Sequence, residues 1–376
     1  MKVMLVTKNM DSGTGTFLLS LLDGLSHYYS IRALALEKPS FRRMNNKYPN
    51  ISYLFKAKTY PSLYSISPSN LTLFIKSIVW IKNQTQKIKP DVIICIDYHV
   101  SILILLLKIC RQINTIKIII NTQINIYDSL NAKAKWPLNS ILLSLIKRLF
   151  SQADLHVCVS QQLSEDISKR FQYNAKHTVI YNGIPLRKSS PKKLGERVKI
   201  ITISRLDEQK DIGTLLRALH LINDVKRVEL NIIGDGEKKL ELIALAEKLE
   251  LQGRVRFLGW QNDVGKYLLR SDIFVLSSKR EGFGFVLVEA MNYGLPIIST
   301  NAPFGPAEIL GDGKYGVLVP VGNDYILSQK IRELIADTYL YSIYSKKSLL
   351  RVKDFSAFKT ISRYREEIVK LTSCHR

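Results

Sequence analysis

Residues 281–300 read EGFGFVLVEAMNYGLPIIST. Gly282 and Gly284 let the backbone turn tightly just before a helix begins near Phe285. A β-branched run from Pro296 to Ser299 follows, and another, Asp272 to Leu276, precedes the whole stretch. Strand, glycine turn, helix and strand in that order form one unit of a parallel sheet.

The same rhythm extends outward. Towards the C-terminus it continues to Val317–Val319, and towards the N-terminus through Val255 to Leu258, Val228 to Ile233 and Val198 to Ser204. It breaks in YNGIPLRKSSPKKLGER, where Pro, Gly, Ser and clustered charges interrupt all periodicity, so residues 183–197 read as a linker. Before the break lie Val3 to Thr7, Ile31 to Leu36, Val92 to Ile96, Lys117 to Asn121 and Leu155 to Val159. These predict a second parallel sheet. After about Ser356, an amphipathic helix with Phe358, Ile361, Tyr364 and Ile368 on one face is expected to return to the first domain. Ligands of open α/β sheets bind at the carboxyl ends of the strands, so a site is expected there.

The chain has 376 residues, enough for two domains, and is 46% hydrophobic, which argues against disorder. Its 55 Lys+Arg against 32 Asp+Glu leave a net charge of +23. The basic excess is 14 in residues 1–180 and 9 in the rest. Such charge implies an anionic partner without choosing among nucleic acid, an anionic membrane and a phosphorylated substrate. Cys95, Cys110, Cys158 and Cys374 show no metal spacing, and the first three lie in apolar runs expected to bury inert thiols in a reducing compartment. No apolar run approaches the ~20 residues of a membrane span.

Glu281 and Glu289 flank the glycine turn. A helix start with free N–H groups is a phosphate site, and a carboxylate one turn into the helix can accept hydrogen bonds from vicinal hydroxyls such as those of a ribose. An acidic first turn stabilised by the helix dipole has the same spacing, so spacing alone leaves both readings open. The glycine loop DSGTGT (11–16), with Gly13 and Gly15, follows the first strand and suits either a phosphate approach or a plain strand-to-helix turn.

The stretch 281–300 resembles the E-x7-E signature of the family 4 nucleotide-sugar glycosyltransferases, retaining enzymes with the two-Rossmann GT-B fold. SRLDEQKDIGTLLRAL (204–219) is similar to the family segment whose Arg and Lys, here Arg205 and Lys210, grip the donor diphosphate. YNGI (181–184) resembles the turn entering the linker, IIGDGEKKLELIALAEKL the Gly-Asp-Gly turn, and RVRFLGW the strand beside the nucleobase. FGPAEILGDGKYGVLVP (304–320) resembles a variant found in transferases that build bacterial surface polysaccharides and lipid-linked oligosaccharides. The likeness is strong over about residues 180–340 and weak over 1–180.

The resemblance implies an α/β GT-B architecture of two Rossmann-like domains facing across a cleft: an acceptor domain 1–182, a linker 183–197, a donor domain 198–355 and a helix 356–376 packing back on the first. It implies donor contacts from Gly13, Gly15, Arg205, Lys210, Gly282, Phe283, Gly284, Phe285, Val286 and Glu289. Glu281, Arg205 and Lys210 would carry catalysis, with Glu281 on the donor sugar hydroxyls rather than acting as a base. No Asp-x-Asp motif occurs, so no metal and no cofactor are expected and the cationic pair takes the metal's place. One departure stands out. Family members often place a His at the end of the fourth N-terminal strand, where this chain has KIIINTQIN, leaving Gln123 or Thr122 there and His99 as an alternative on the acceptor side.

The activity so implied is transfer of a hexose or N-acetylhexosamine from a nucleotide sugar, with UDP favoured, to a lipid-linked glycan in capsule or O-antigen synthesis, in the cytoplasm at the inner face of the membrane. Two basic stretches with interfacial Trp, Lys133–Phe150 and the segment 71–89 around Trp80, suit an anionic membrane surface, and equally suit core-facing helices with solvated basic faces. A nucleic-acid-binding protein and a nucleotide-binding relative without transfer activity are the competing readings. The first has only net charge behind it; the second rests on the missing His.

Overall fold

The computed structural model describes residues 1–10, 13–38, 49–55, 68–123, 138–171, 176–225 and 228–373. Asp11 and Ser12 of the glycine loop, Cys374, and the Lys133–Phe150 stretch through the side chain of Leu142 lie outside the described residues. The chain divides into two compact units, Met1–Gly183 with Ala357–Arg376, and Ile184–Ser356.

The first unit is a seven-stranded sheet of β1 (Lys2–Thr7), β2 (Ser30–Glu37), β3 (Ile51–Phe55), β4 (Val92–Cys95), β5 (Lys117–Thr122), β6 (Leu155–Cys158) and β7 (His177–Val179). Their order is β3-β2-β1-β4-β5-β6-β7 and every neighbouring pair is parallel. Four consecutive residues of β4, VIIC, are buried, as a strand covered on both faces requires. The helices are α1 (Gly13–Leu25), α2 (Pro68–Ile88), α3 (Tyr98–Ile109), α4 (Leu138–Phe150) and α5 (Gln161–Phe171). The second unit repeats the plan with β8 (Val198–Ile203), β9 (Val228–Ile233), β10 (Val255–Phe257), β11 (Ile273–Leu276), β12 (Ile297–Thr300) and β13 (Val317–Val319), in the order β10-β9-β8-β11-β12-β13. Around it lie α6 (Ile212–His220), α7 (Lys239–Lys248), α8 (Gly265–Arg270), α9 (Phe285–Met291), α10 (Pro306–Leu310), α11 (Asp324–Ala336) and α12 (Thr338–Arg351).

The order reverses between β1 and β4 in one sheet and between β8 and β11 in the other. Those two switch points are where open α/β sheets take ligands.

The last helix, α13 (Ala357–Ser373), belongs to the first unit, where Ile361, Tyr364 and Ile368 join the α1 residues Phe17, Leu18 and Leu21 in one core. Phe358 departs from the expected apolar face: it is 76% exposed, because Thr360 takes the inward position and donates from Oγ1 to the Tyr181 carbonyl at 2.8 Å. Cys95 and Cys158 are buried, and burial pushes the Cys158 thiol up to about 12. Cys110, expected inside, is exposed because it sits at the C-cap of α3, past the buried run.

The stretch read as a linker is tied to the second unit. Asn292 at the end of α9 accepts from Arg187 N and donates to the Pro185 carbonyl, while Lys192 Nζ donates to the carbonyls of Leu268 and Leu269 at the end of α8. Ile184 bridges Ser356, with Ile184 N on the Phe355 carbonyl at 2.9 Å. On α2, Ser77, Ile81 and Thr85 are buried whereas Leu71, Ile75 and Val79 face solvent, and its 21 residues carry Lys76, Lys82 and Lys87 with no acid. Among the described residues no helix is long and apolar enough to cross a membrane.

Candidate functional site

In the second unit the loops after β8 and β11 meet at the switch point. Lys210, after β8, donates from Nζ to Glu281 Oε1 at 2.6 Å, and the pair is 14% and 7% exposed at the side chains. Glu281, five residues beyond β11, also accepts from Ser278 Oγ at 2.6 Å. Ser277 Oγ closes the arrangement from below by donating to the Lys210 carbonyl at 3.0 Å, and Thr300 Oγ1 on β12 holds the Ser278 carbonyl at 2.6 Å. Ser277, Ser278 and Thr300 are functional supports that motif reading missed. The signal was present, since Ser277 and Ser278 follow a fully apolar strand and a buried hydroxyl there needs a partner.

Arg205 lies at the same edge but not in this knot. Its guanidinium is 68% exposed and pairs with Asp207 Oδ2 at 2.9 Å, while Asp207 Oδ1 accepts from Lys210 N. The two cations thus share Asp207 as a common support.

Gly282, Phe283 and Gly284 lead from Glu281 into α9. Phe283 is buried against Phe355 with ring centroids 5.8 Å apart. Gly284 is the N-cap with φ +89°, a left-handed conformation that favours glycine. Phe285 and Val286 then present first-turn N–H groups, which have no intrahelical acceptors.

Glu289, one turn on, is half-buried, and among the described residues its carboxylate has no hydrogen-bond or ion-pair partner. Burial pushes it up to about 7 from an ordinary 4.5. A carboxylate so placed gains most from an external donor of hydrogen bonds.

In the first unit the loops after β1 and β4 meet through Asp97, the N-cap of α3. It accepts from Lys8 N at 2.6 Å, Thr7 Oγ1 at 3.1 Å, His99 N at 3.0 Å and Val100 N at 3.2 Å. Burial alone would raise its pKa, but the His99 side chain and the Lys8 and Val100 N–H groups outweigh that and hold it below the usual carboxylate range. His99 stacks on Tyr98 with centroids 3.9 Å apart, its Nδ1 3.6 Å from Asp97 Oδ1. Asp97 therefore anchors both the end of β1 and His99. Gly15 lies in α1, where a Cβ would come 2.1 Å from the Met10 carbonyl; Gly13, at the start of the helix, faces open space.

Gln123, just beyond β5, is committed elsewhere. Its carbonyl accepts from Asn182 Nδ2 at 2.7 Å and its amide nitrogen donates to Asn121, which in turn donates to Tyr364 OH at 2.6 Å. This amide chain ties β5, the YNGI turn and α13 together. His99, by contrast, meets Asp97 through Nδ1 and stacks on Tyr98. Among the described residues no cluster of three or more His, Cys, Asp or Glu could hold a metal ion.

Comparison with known proteins accords with this geometry. The family model for Glycosyltransferase Family 4 matches residues 13–188, and that for Glycosyl transferases group 1 matches residues 185–349. An N-acetylgalactosaminyltransferase of Campylobacter jejuni, named as acting on N-acetylgalactosamine-N,N'-diacetylbacillosaminyl-diphospho-undecaprenol, is 33% identical over 221 residues, which are 57% of this chain and 60% of that protein. An uncharacterized glycosyltransferase of Methanocaldococcus jannaschii is 28% identical over 92% of this chain and 94% of its own. Among solved structures, Anabaena HepE in complex with UDP has the same fold, with a TM-score of 0.78 at 19% identity over 98% of this chain and all of that one. The chain belongs to the family 4 glycosyltransferases of the GT-B fold.

Proposed function

We propose that the protein is a retaining, metal-independent hexosyltransferase that moves a hexose or N-acetylhexosamine from a UDP-sugar to a lipid-linked glycan during bacterial surface-polysaccharide synthesis. The observation that carries the reading is Glu289, a half-buried carboxylate with no partner among the described residues, one turn from Gly284 and on the helix that Glu281 and Lys210 precede. The vicinal hydroxyls of a ribose supply the two donors it lacks. The Campylobacter relative's diphospho-undecaprenol substrate and the UDP in the HepE structure support the acceptor and donor classes.

Sugar departure puts negative charge on the β-phosphate while the anomeric carbon becomes oxocarbenium-like. Preorganised positive charge lowers that barrier. Lys210 spends one of its three N–H donors on Glu281, so two remain for phosphate oxygens. Arg205, held by Asp207 but exposed, supplies a second cation, and the Phe285 and Val286 N–H groups a third contact. Glu281 orients the sugar hydroxyls, Gly282–Gly284 let the backbone approach, and the departing phosphate takes the acceptor proton on the same face. In the first unit Gly13 and Gly15 are the glycines of a ligand-approach loop, with His99 on the acceptor side.

The apolar stripe Leu71, Ile75 and Val79, flanked by Lys76, Lys82 and Lys87, supports reversible docking on an anionic membrane, each basic residue contributing about 1 kcal/mol. Absence of co-sedimentation with anionic vesicles at low salt would refute the docking. The donor reading is tested by calorimetric and thermal-shift titration with UDP, GDP, ADP and dTDP, with and without EDTA. Stabilisation by UDP that is insensitive to EDTA is expected, because a ligand that binds only the native state raises stability by mass action. No response to any nucleotide overturns the site.

A further inference from the structure

Arg351 ends α12 and has no place in the motifs above, yet its side chain holds together the two walls that flank the donor loop. From Nε it donates to the Ile309 carbonyl at 2.9 Å and from Nη2 to the Glu308 carbonyl at 2.7 Å, satisfying the last carbonyls of α10. From Nη1 it reaches Asp354 Oδ2 at 3.0 Å. Its guanidinium carbon lies 5.0 Å from the Tyr315 ring and 4.9 Å from the Phe355 ring. Only a planar fork can bond two adjacent carbonyls while stacking on aromatic rings, so Lys is no substitute.

Phe355 and the segment that leads into α10 both reach residues 281–284. Phe355, wholly buried, packs edge-on against Phe283. The segment entering α10 lies along the other side: Glu281 N donates to the Pro303 carbonyl at 3.3 Å, and a Cβ on Gly305 would come 2.1 Å from the Phe283 carbonyl. The donor loop is thus clasped between Phe355 and residues 303–305; Arg351 stacks on Phe355 and bonds the Glu308 and Ile309 carbonyls of the helix that residues 303–305 lead into.

We infer that Arg351 is a positioning residue for the donor loop, setting Glu281 and Phe283 against the sugar of the bound nucleotide without touching it. This rests on the reading above that residues 281–289 take the donor. Lys210 and Arg205, which face the diphosphate in that reading, come from the β8 loop and are not held by Arg351. The consequence is a division of labour: losing Arg351 weakens recognition of the sugar more than binding of the nucleotide.

The test uses the full chain with Arg351→Met, Arg351→Lys and, as a control that keeps the carbonyl fork, Asp354→Asn. Hydrogen exchange of the peptide covering 281–287 is measured without ligand, and calorimetry gives Kd for UDP, UDP-glucose, UDP-galactose and UDP-N-acetylglucosamine. Arg351→Met is expected to speed exchange of that peptide roughly tenfold, the effect of losing about one charge-assisted hydrogen bond. It is also expected to abolish whatever preference wild type shows for one UDP-sugar over UDP, while UDP, which keeps Arg205 and Glu289, loses less affinity than the UDP-sugars. Arg351→Lys falls between, and Asp354→Asn behaves as wild type. If Arg351→Met does not fold, Arg351→Lys must still loosen the 281–287 peptide. Unchanged exchange in every folded Arg351 variant overturns the proposal, as does equal loss of UDP and UDP-sugar binding. Failure of wild type to bind any of the four ligands is a separate outcome, which overturns the donor reading and this role with it.

Discussion

Glu289→Gln separates the stability of this protein from its proposed donor binding, because the two should move in opposite directions. In the fold, burial lifts the Glu289 carboxyl from 4.5 to about 7. At about 1.36 kcal/mol per unit the penalty on the charged form is at most about 3 kcal/mol, and partial solvent contact reduces it to about 1–3 kcal/mol. The sign follows from linkage: a group raised on folding contributes stability that is fully present below 4.5 and is lost as pH rises through 7. Glu289→Gln, neutral throughout, should match wild type near pH 4 and exceed it by about 1–3 kcal/mol at pH 8.5. Urea unfolding followed by tryptophan fluorescence at both pH values measures this. The same substitution removes the anionic acceptor for ribose hydroxyls, so UDP should bind roughly tenfold or more weakly at pH 8.5, as loss of a hydrogen bond to a charged group implies. A difference from wild type that does not change with pH, or a variant less stable than wild type at pH 8.5, would refute the argument that this carboxylate is unpartnered and desolvated.

Lys210→Met leaves Glu281 buried with only Ser278 to satisfy it and should cost about 3 kcal/mol in denaturant midpoint analysis, besides abolishing donor turnover. Tyr364→Phe strands the Asn121 amide in a buried site and should cost about 1–3 kcal/mol, read by the same method, without changing UDP affinity. Asp97→Asn should flatten the acid limb of the stability profile: a carboxylate lowered on folding contributes stability above its ordinary pKa that is lost as pH falls below it, and the variant has none to lose. Acid unfolding of the two proteins followed by circular dichroism decides it.

The interior strands of both sheets were legible because β4, β11 and their neighbours are covered on both faces and so read as unbroken apolar runs. The edge strand β3 (ISYLF) and the short β7 (HTV) escaped notice, since each is only partly buried and neither carries such a run. The E-x7-E spacing located Glu281 and Glu289 but could not reveal that one accepts from Lys210 and Ser278 while the other has no partner among the described residues. That difference arises from tertiary contacts 71 residues apart in the chain. Asp97 could have been found: an Asp directly after a buried strand and before an apolar helical stretch is an N-cap signature. Gln123 was legible only as a residue at the right strand end. The partners that claim its amide, Asn121 and Asn182, lie on different elements, and their third neighbour, Tyr364, comes from the other end of the chain.

The bridge between Ile184 and Ser356 has an architectural corollary. The chain enters the second unit at one of these residues and leaves it at the other, so 173 residues of fold begin and end at a single hydrogen-bonded point. Such a unit is a loop pinched shut at its neck. An excursion closed in this way can be exchanged for another six-stranded unit of the same kind whose two ends meet in the same clasp.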